Sequence, residues 1–520
     1  MNKGKRIIKI FGYGVISQVV TLLLGIIIPK LMIVSYGSEV NGLLSSIRQV
    51  FVYVALLEAG IGTASLQALY APVALGDNKR ICEIMAATSA YYKRTGVLYG
   101  IAVIGLAIFY PIIVKSDIPV MVVVAVILFQ GASGVINYFF QGKFTILLRV
   151  DGRGYITTNL NTIVSVISKL VQIGLILMGF NVIAVQFAYF AINLLQMIYN
   201  ITWYVKKHYD WLDLSVEPDY NALSQSKNVI IHQISGLIFN NTDIIVLTLF
   251  AGLKTVSVYS LYSLIISCVS NIIDTLCSSV EFVLGQAFNS DKNKFMKLQE
   301  VYETYYLGVS FFFFTVTLIM LPSFMKIYSS GITDAQYVDK YLPLLFVTLN
   351  VLMYSRRTSS QIINFAGHFK QTQVRSIIES AINLTVSLVL VFKIGMYGVL
   401  LGTIAALLYR TNDVIIYANW NILGRKPWKT YRRWIQNTIV MVLLVGSLYK
   451  ILPEISTLMA WVVNAIWVAV LCGCVYFAID SFFDKESFLF IKTILMGVIN
   501  RKKKRVISVY ANLNLGHMAH

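Results

Sequence analysis

Long apolar runs separated by short polar or basic connections make up most of this chain. Windows of about 20 apolar residues, the length a helix needs to cross a bilayer, predict spans at 8–34, 42–71, 84–114, 118–147, 155–179 and 182–205. A polar segment with Asp210, Asp213, Glu217 and Asp219 follows. Six further spans are expected at 225–251, 255–288, 302–328, 341–366, 371–393 and 396–422, and a last pair at 434–452 and 458–480. Lys3, Lys5, Arg6 and Lys9 precede the first run, which continues past Ile28 with no small-residue cleavage site. It is therefore read as a retained helix and not a secretory signal.

The stretch Ser263–Glu281, SLIISCVSNIIDTLCSSVE, concentrates the polar pattern. Ser263, Ser267, Ser270, Asp274, Ser278 and Glu281 recur at steps of three and four, so they share one helix face with two carboxylates about two turns apart. An acidic residue at the bilayer centre costs roughly 2.5–3.5 kcal/mol, so this face is expected to look into a bundle or toward water. Comparable stripes run through Ser45, Arg48 and Glu58; Gln130, Gly134, Asn137 and Gln141; Thr158, Thr162, Ser165, Lys169 and Gln172; and His232, Gly236, Asn240 and Asp243. Asn350, Tyr354, Arg357, Gln361 and Asn364 form another, and Arg375, Glu379, Asn383 and Ser387 the last. The final two spans show none. Most single Ser or Asn residues in such stripes join helices by hydrogen bonds. The charged members differ: Arg48, Glu58, Lys169, Asp243, Asp274, Glu281, Arg356, Arg357, Glu379, Arg410 and Asp413 would together cost on the order of 30 kcal/mol against lipid. A shared aqueous cavity avoids most of that. Arg410 and Asp413, three residues apart on one span, are expected to pair structurally.

An internal repeat orders these spans. YGSEVNGLLSSIRQVFVYVALLEAG, from Tyr36, has a loose echo in FAGLKTVSVYSLYSLIISCVSNIID, from Phe250. Glu58 and Asp274 stand 216 residues apart, Gly179 and Gly395 also 216, and Gly152 and Gly367 215. Two six-helix halves of like orientation follow, because an even number of spans per half preserves direction. The fold class expected is an all-α polytopic membrane protein with fourteen transmembrane helices, two parallel-repeat six-helix bundles and a C-terminal helix pair. Its domains would be 1–210, the N-terminal bundle; 211–425, the second bundle; 426–480, the final pair; and 481–520, a basic cytoplasmic tail.

Composition agrees with this class. Hydrophobic residues make up 57% of 520 and charged residues 13%, beyond the range of a soluble domain. The net charge of +19 would suggest nucleic acid, but the basic residues occupy alternate connections: Lys79 and Arg80; Lys143, Arg149 and Arg153; Lys206, Lys207 and Lys227; Lys292, Lys294 and Lys297; Lys370 and Arg375; and the Arg425–Arg433 segment. That alternation places both termini in the cytoplasm, and the Arg501–Arg505 run RKKKR then serves topology and contact with anionic lipid. Five cysteines without a CxxC spacing read as packing residues, with no metal site, cofactor or disulfide framework implied. There is no Gly-rich phosphate loop, no HExxH and no DxD, so no catalytic residue is assigned and no enzyme is expected.

The stretches GYGVISQVVTLLLGIIIPKLMIVSYGSEVNGLLSSIRQ, ALLEAGIGTASLQALYAP and TDIIVLTLFAGLKTVSVYSLYSLI resemble the Wzx-type oligosaccharide-lipid flippases of the multidrug/oligosaccharidyl-lipid/polysaccharide exporter superfamily. The resemblance covers the first twelve spans and extends to the last pair by helix count. It implies two six-helix bundles around a V-shaped cavity that opens alternately to either side, lined by spans 1, 2, 4, 5, 7, 8, 10 and 11. The substrate implied is an undecaprenyl-diphosphate-linked oligosaccharide repeat unit for surface polysaccharide, such as the O-antigen of lipopolysaccharide. In that setting Arg48, Lys169, Arg356 and Arg357 are the candidates to bind the diphosphate. Glu58, Asp243, Asp274, Glu281 and Glu379 are the candidates to take up H⁺ or Na⁺. Partners would be the lipid-linked substrate, the coupling ion, the bacterial inner (cytoplasmic) membrane that the chain spans, and other polysaccharide assembly proteins. Two rival readings are a drug or cation exporter of the same superfamily, which generally has twelve helices, and a membrane polysaccharide polymerase, which the short external connections disfavour.

Overall fold

A computed structural model describes residues 24–58, 60–196, 202–223, 239 and 241–493. Lys3, Lys5, Arg6, Lys9, His232, Gly236, Asn240 and the Arg501–Arg505 run lie outside the described residues. Among the described residues the chain is helical throughout, with no strand. Ten helices are long and apolar enough to cross a membrane, accompanied by the shorter apolar helices Leu24–Tyr36, Ile61–Leu75, Val182–Leu195 and Asn241–Phe250. The protein is an all-α, multi-pass membrane protein. Each expected span has a helical counterpart, although several are interrupted.

The helices are α1 (Leu24–Tyr36) and α10 (Asn241–Phe250); α2 (Ser38–Val54), α3 (Ile61–Leu75), α4 (Asn78–Ile113), α5 (Val120–Ile136), α6 (Gly142–Val150), α7 (Gly154–Leu177), α8 (Val182–Leu195) and α9 (Thr202–His208). They continue with α11 (Leu253–Ser290), α12 (Lys292–Tyr328), α13 (Leu342–Ser355), α14 (Arg357–Phe365), α15 (Phe369–Ile394), α16 (Met396–Tyr417), α17 (Trp428–Ile451) and α18 (Leu458–Phe483).

Three interruptions were not legible as such. The span expected at 42–71 breaks after α2 into a 3₁₀ turn, Ala55–Glu58, and restarts at Ile61 after Gly60 with φ 85°. Glu58 closes this break: it accepts the Tyr92 hydroxyl at 2.6 Å and the backbone N–H of Gly62, one of the donors that a helix start leaves open. The span expected at 118–147 holds a π-helical turn, Asn137–Gln141, between α5 and α6. That at 341–366 stops at Ser355 and restarts at Arg357. An added or missing hydrogen bond re-aims the side chains that follow, and such irregular turns recur at functional positions.

The described residues fall into two compact units. Unit 1 takes its residues from Met1–Ile265, Tyr328–Leu345 and Gln373–Ala406, and unit 2 from Ile266–Ile327, Phe346–Thr372 and Leu407–His520. In unit 1, an apolar core built on Leu43, Ile47, Met85, Tyr92, Val126, Leu147 and Val185 joins α2, α4, α5, α6 and α8. The start of α2 meets the start of α11 so closely that a Cβ at Gly42 would collide with the Leu253 backbone. A buried polar chain crosses the same place: Asp334 accepts Ser38 N at 2.6 Å and Ser38 Oγ at 2.7 Å. Tyr337 then links Ser38 and Ser257.

In unit 2, ion pairs fix the C-terminal helices. Glu303 of α12 binds Arg425 at 2.9 Å and Arg433 at 2.8 Å, and Arg433 binds Asp484 at 2.6 Å. Thr430, Arg433 and Asn437 share one buried face of α17, and Asn437 and Gln436 donate to Asp480 of α18. The final pair therefore does carry a polar face. It escapes a sequence reading that begins the helix at 434, because Arg433 counts there as a loop cation; the carboxylates of α12 draw it into the helix instead.

Candidate transport-path residues

In unit 2, the acidic stripe of α11 meets the cation at the start of α14. Arg357 pairs through Nη1 with Asp274, and its Nη2 stands 3.2 Å from Glu281 Oε1. Asp274 and Glu281 lie seven residues apart on one face of α11, so a single guanidinium spans two turns of the helix. Tyr354 donates to Asp274 at 3.1 Å, and its ring lies 5.9 Å from the guanidinium carbon; Tyr302 reaches Glu281 at 3.5 Å. Side-chain exposures of 29%, 40% and 25% for Arg357, Asp274 and Glu281 leave the group accessible. The helix break at Arg356 is what aims Arg357 here. The residues expected separately to bind substrate and to couple ions thus form one group with a net charge of −1.

In unit 1, Asp243 on α10 is buried. Its Oδ2 accepts Tyr259 of α11 at 2.8 Å and Thr403 of α16 at 2.9 Å, while Asn383 of α15 donates to Thr403 at 2.8 Å. The Asn383 side-chain oxygen is buried and has no hydrogen-bond partner among the described residues. Glu379, also buried, lies one turn before Asn383 on α15. A buried carboxylate met, among the described residues, only by hydroxyl and amide donors on three other helices is suited to taking up and releasing a proton. Thr403 and Tyr259 were missed in the sequence; the stripe starting at Ser263, extended back by one turn, reaches Tyr259.

Also in unit 1, Arg48 of α2 lies close enough for its positive charge to act on Lys169 of α7. These two cations come from stripes on different helices. Glu58 accepts the Tyr92 hydroxyl in its own cap. Arg410 and Asp413 pair at 2.5 Å with side chains only 9% and 14% exposed, the structural pairing expected of them.

Neither a protein-family model nor a curated protein matches the sequence. Solved structures do match. The inward-facing form of a multidrug resistance MATE family transporter of the MOP superfamily superposes with a TM-score of 0.62 at 17% identity, over 78% of this chain and 95% of that one. The lipid II flippase MurJ, in an inward closed conformation, gives 0.62 at 13% identity over 91% and 98%. A MOP superfamily transporter from Pyrococcus furiosus gives 0.50 at 16% identity over 78% and 96%. The chain shares its fold with these structures. The greater coverage of this chain by MurJ, 91% against 78% for the MATE transporter, means that MurJ has counterparts for more of it.

Proposed function

We propose that the protein is a flippase that moves undecaprenyl-diphosphate-linked oligosaccharide repeat units across the bacterial cytoplasmic membrane by alternating access, coupled to H⁺ or Na⁺. The observation that carries this reading is that Arg48 of α2 and Lys169 of α7, from polar stripes on two helices, lie within electrostatic reach of each other. Two like charges within reach of each other repel, and an anion with several charged oxygens is attracted by both. A diphosphate supplies such oxygens, whereas a cationic drug would be repelled. Arg356 and Arg357 would take the headgroup in the second half, where the diphosphate competes with Asp274 and Glu281 for Arg357. Asp243, with Glu379 close by on α15, would hold the coupling ion. Both termini would lie in the cytoplasm, and the sequence halves 1–210 and 211–425 would be the moving bundles.

The test is the double variant Arg48→Gln/Lys169→Gln in a strain whose surface glycan depends on this gene. Glycan should fall and lipid-linked oligosaccharide accumulate on the cytoplasmic side, with resistance to cationic dyes unchanged. Retained glycan with new dye sensitivity would replace the flippase reading by drug export.

A further inference from the structure

Lys143 has no part in that pathway, yet it is among the most buried cations of unit 1, 7% exposed. It stands at the start of α6, just past the π-helical turn Asn137–Gln141. Its Nζ donates to Ser89 of α4 at 3.1 Å and lies 5.2 Å from the Phe144 ring centroid. The neighbouring charge that acts on it is another cation, Lys93. Neither lysine has a carboxylate partner among the described residues. A hydroxyl and an aromatic ring do not balance an ammonium in a low-dielectric site, and a like charge beside it adds to the cost.

The face of α4 on which Lys93 stands explains what could. Lys93 is exposed, and on the same face, toward the centre of the span, come Val97, Ile101, Ile104 and Ile108, each more than half exposed. Helix side chains tilt toward their N-terminus, so the Lys93 stem runs back over the turn that holds Ser89. One buried and one exposed cation therefore sit at one end of a continuous apolar strip on one helix. That is the arrangement of a lipid with its headgroup at the two cations and its acyl chains along the strip.

We infer that Lys143, Lys93 and Ser89 bind the phosphate of an anionic membrane lipid against α4 and α6. Lys143 supplies a buried charge, Ser89 accepts from Lys143 and has its own proton free to donate to a phosphate oxygen, and Lys93 closes the site from the surface.

The full-length protein, purified in detergent, would be titrated with phosphatidylglycerol and phosphatidylcholine and observed by native mass spectrometry. Wild type and Lys143→Arg should hold phosphatidylglycerol in preference to phosphatidylcholine. Lys143→Met, of similar length and apolar, should lose that preference by at least about tenfold, the effect of one charge-assisted hydrogen bond. Because Lys143→Met alters a buried site, Lys93→Gln provides the second reading at an exposed position, with an expected loss of a few-fold. Unchanged phosphatidylglycerol binding in Lys93→Gln, together with unchanged binding in a folded Lys143→Met, overturns the site. Displacement of the lipid by millimolar inorganic phosphate would overturn the lipid as its occupant, because the apolar strip would then contribute nothing.

Discussion

Asn41 donates to the Ser257 hydroxyl at 2.8 Å, and the two residues stand 216 positions apart, the interval that also separates Glu58 from Asp274. Equivalent positions of a repeat can touch one another only where they approach the axis that relates the two copies, as in a self-complementary contact between identical subunits. The helix boundaries repeat in the same rhythm. Gly37 and Gly252, Gly152 and Gly367, and Gly179 and Gly395 all take positive φ, with values of 87° and 84°, 70° and 68°, and 78° and 56°.

The Asn41 contact is buried and belongs to the chain through Ser257, Tyr337 and Ser38. Asn41→Ala should therefore cost about 1–3 kcal/mol, the penalty of leaving a buried polar partner unpaired. Thermal unfolding of the Asn41→Ala and Ser257→Ala variants and their combination should show a coupling of at least about 0.5 kcal/mol. Strict additivity would mean that the two residues act separately.

Arg357 and Arg410 make opposite predictions from similar chemistry. Arg357 is partly exposed between two carboxylates, so Arg357→Ala should stop glycan export while the protein stays inserted and abundant. Arg410 is buried against Asp413, and Arg410→Ala removes that buried pairing, so the amount of folded protein should fall. Quantitative blotting beside glycan staining separates the outcomes; a low level of fully active Arg357→Ala protein would assign Arg357 a structural role.

Asp243 sets the ion test. In proteoliposomes, Asp243→Asn should make transport insensitive to an imposed H⁺ or Na⁺ gradient. A variant that still follows the gradient would move ion coupling to Asp274 and Glu281.

Asp484 lies just beyond α18 and gives a pH dependence. Burial would raise its carboxyl, but hydrogen bonds from Arg433 and Thr304 and the Arg433 charge hold it below the usual carboxylate range. A depressed folded value stabilises the protein above the unfolded value, about 3.9, and that contribution is lost as pH falls through the folded one. Asp484→Asn should lower the melting temperature at pH 7, and the deficit should shrink progressively as pH falls below about 4 toward the depressed folded value. An equal deficit at every pH would show that the carboxylate charge is irrelevant.

Single-cysteine labelling tests the orientation. Positions 215 and 505 should resist an impermeant reagent in intact cells, while 395 reacts. Labelling at 215 would reverse the assignment of sides.

Two kinds of information were readable in the order of residues alone. Apolar run length placed a helix at each expected span because a helix satisfies its own backbone inside a bilayer, and no partner is needed to specify it. Periodicity put Asp274 and Glu281 on one face of α11 because helical geometry is local. The pairing of Arg410 with Asp413 followed for the same reason, the two being three residues apart. What brought Arg357 to that acidic face, Thr403 and Tyr259 to Asp243, and Arg433 to Glu303 was the packing of helices distant in sequence. The breaks at Glu58 and Arg356 and the π-helical turn before Lys143 belong to the same category. Each depends on whether a backbone or charged group finds its partner on another helix, and the spacing of residues along one chain does not contain that choice.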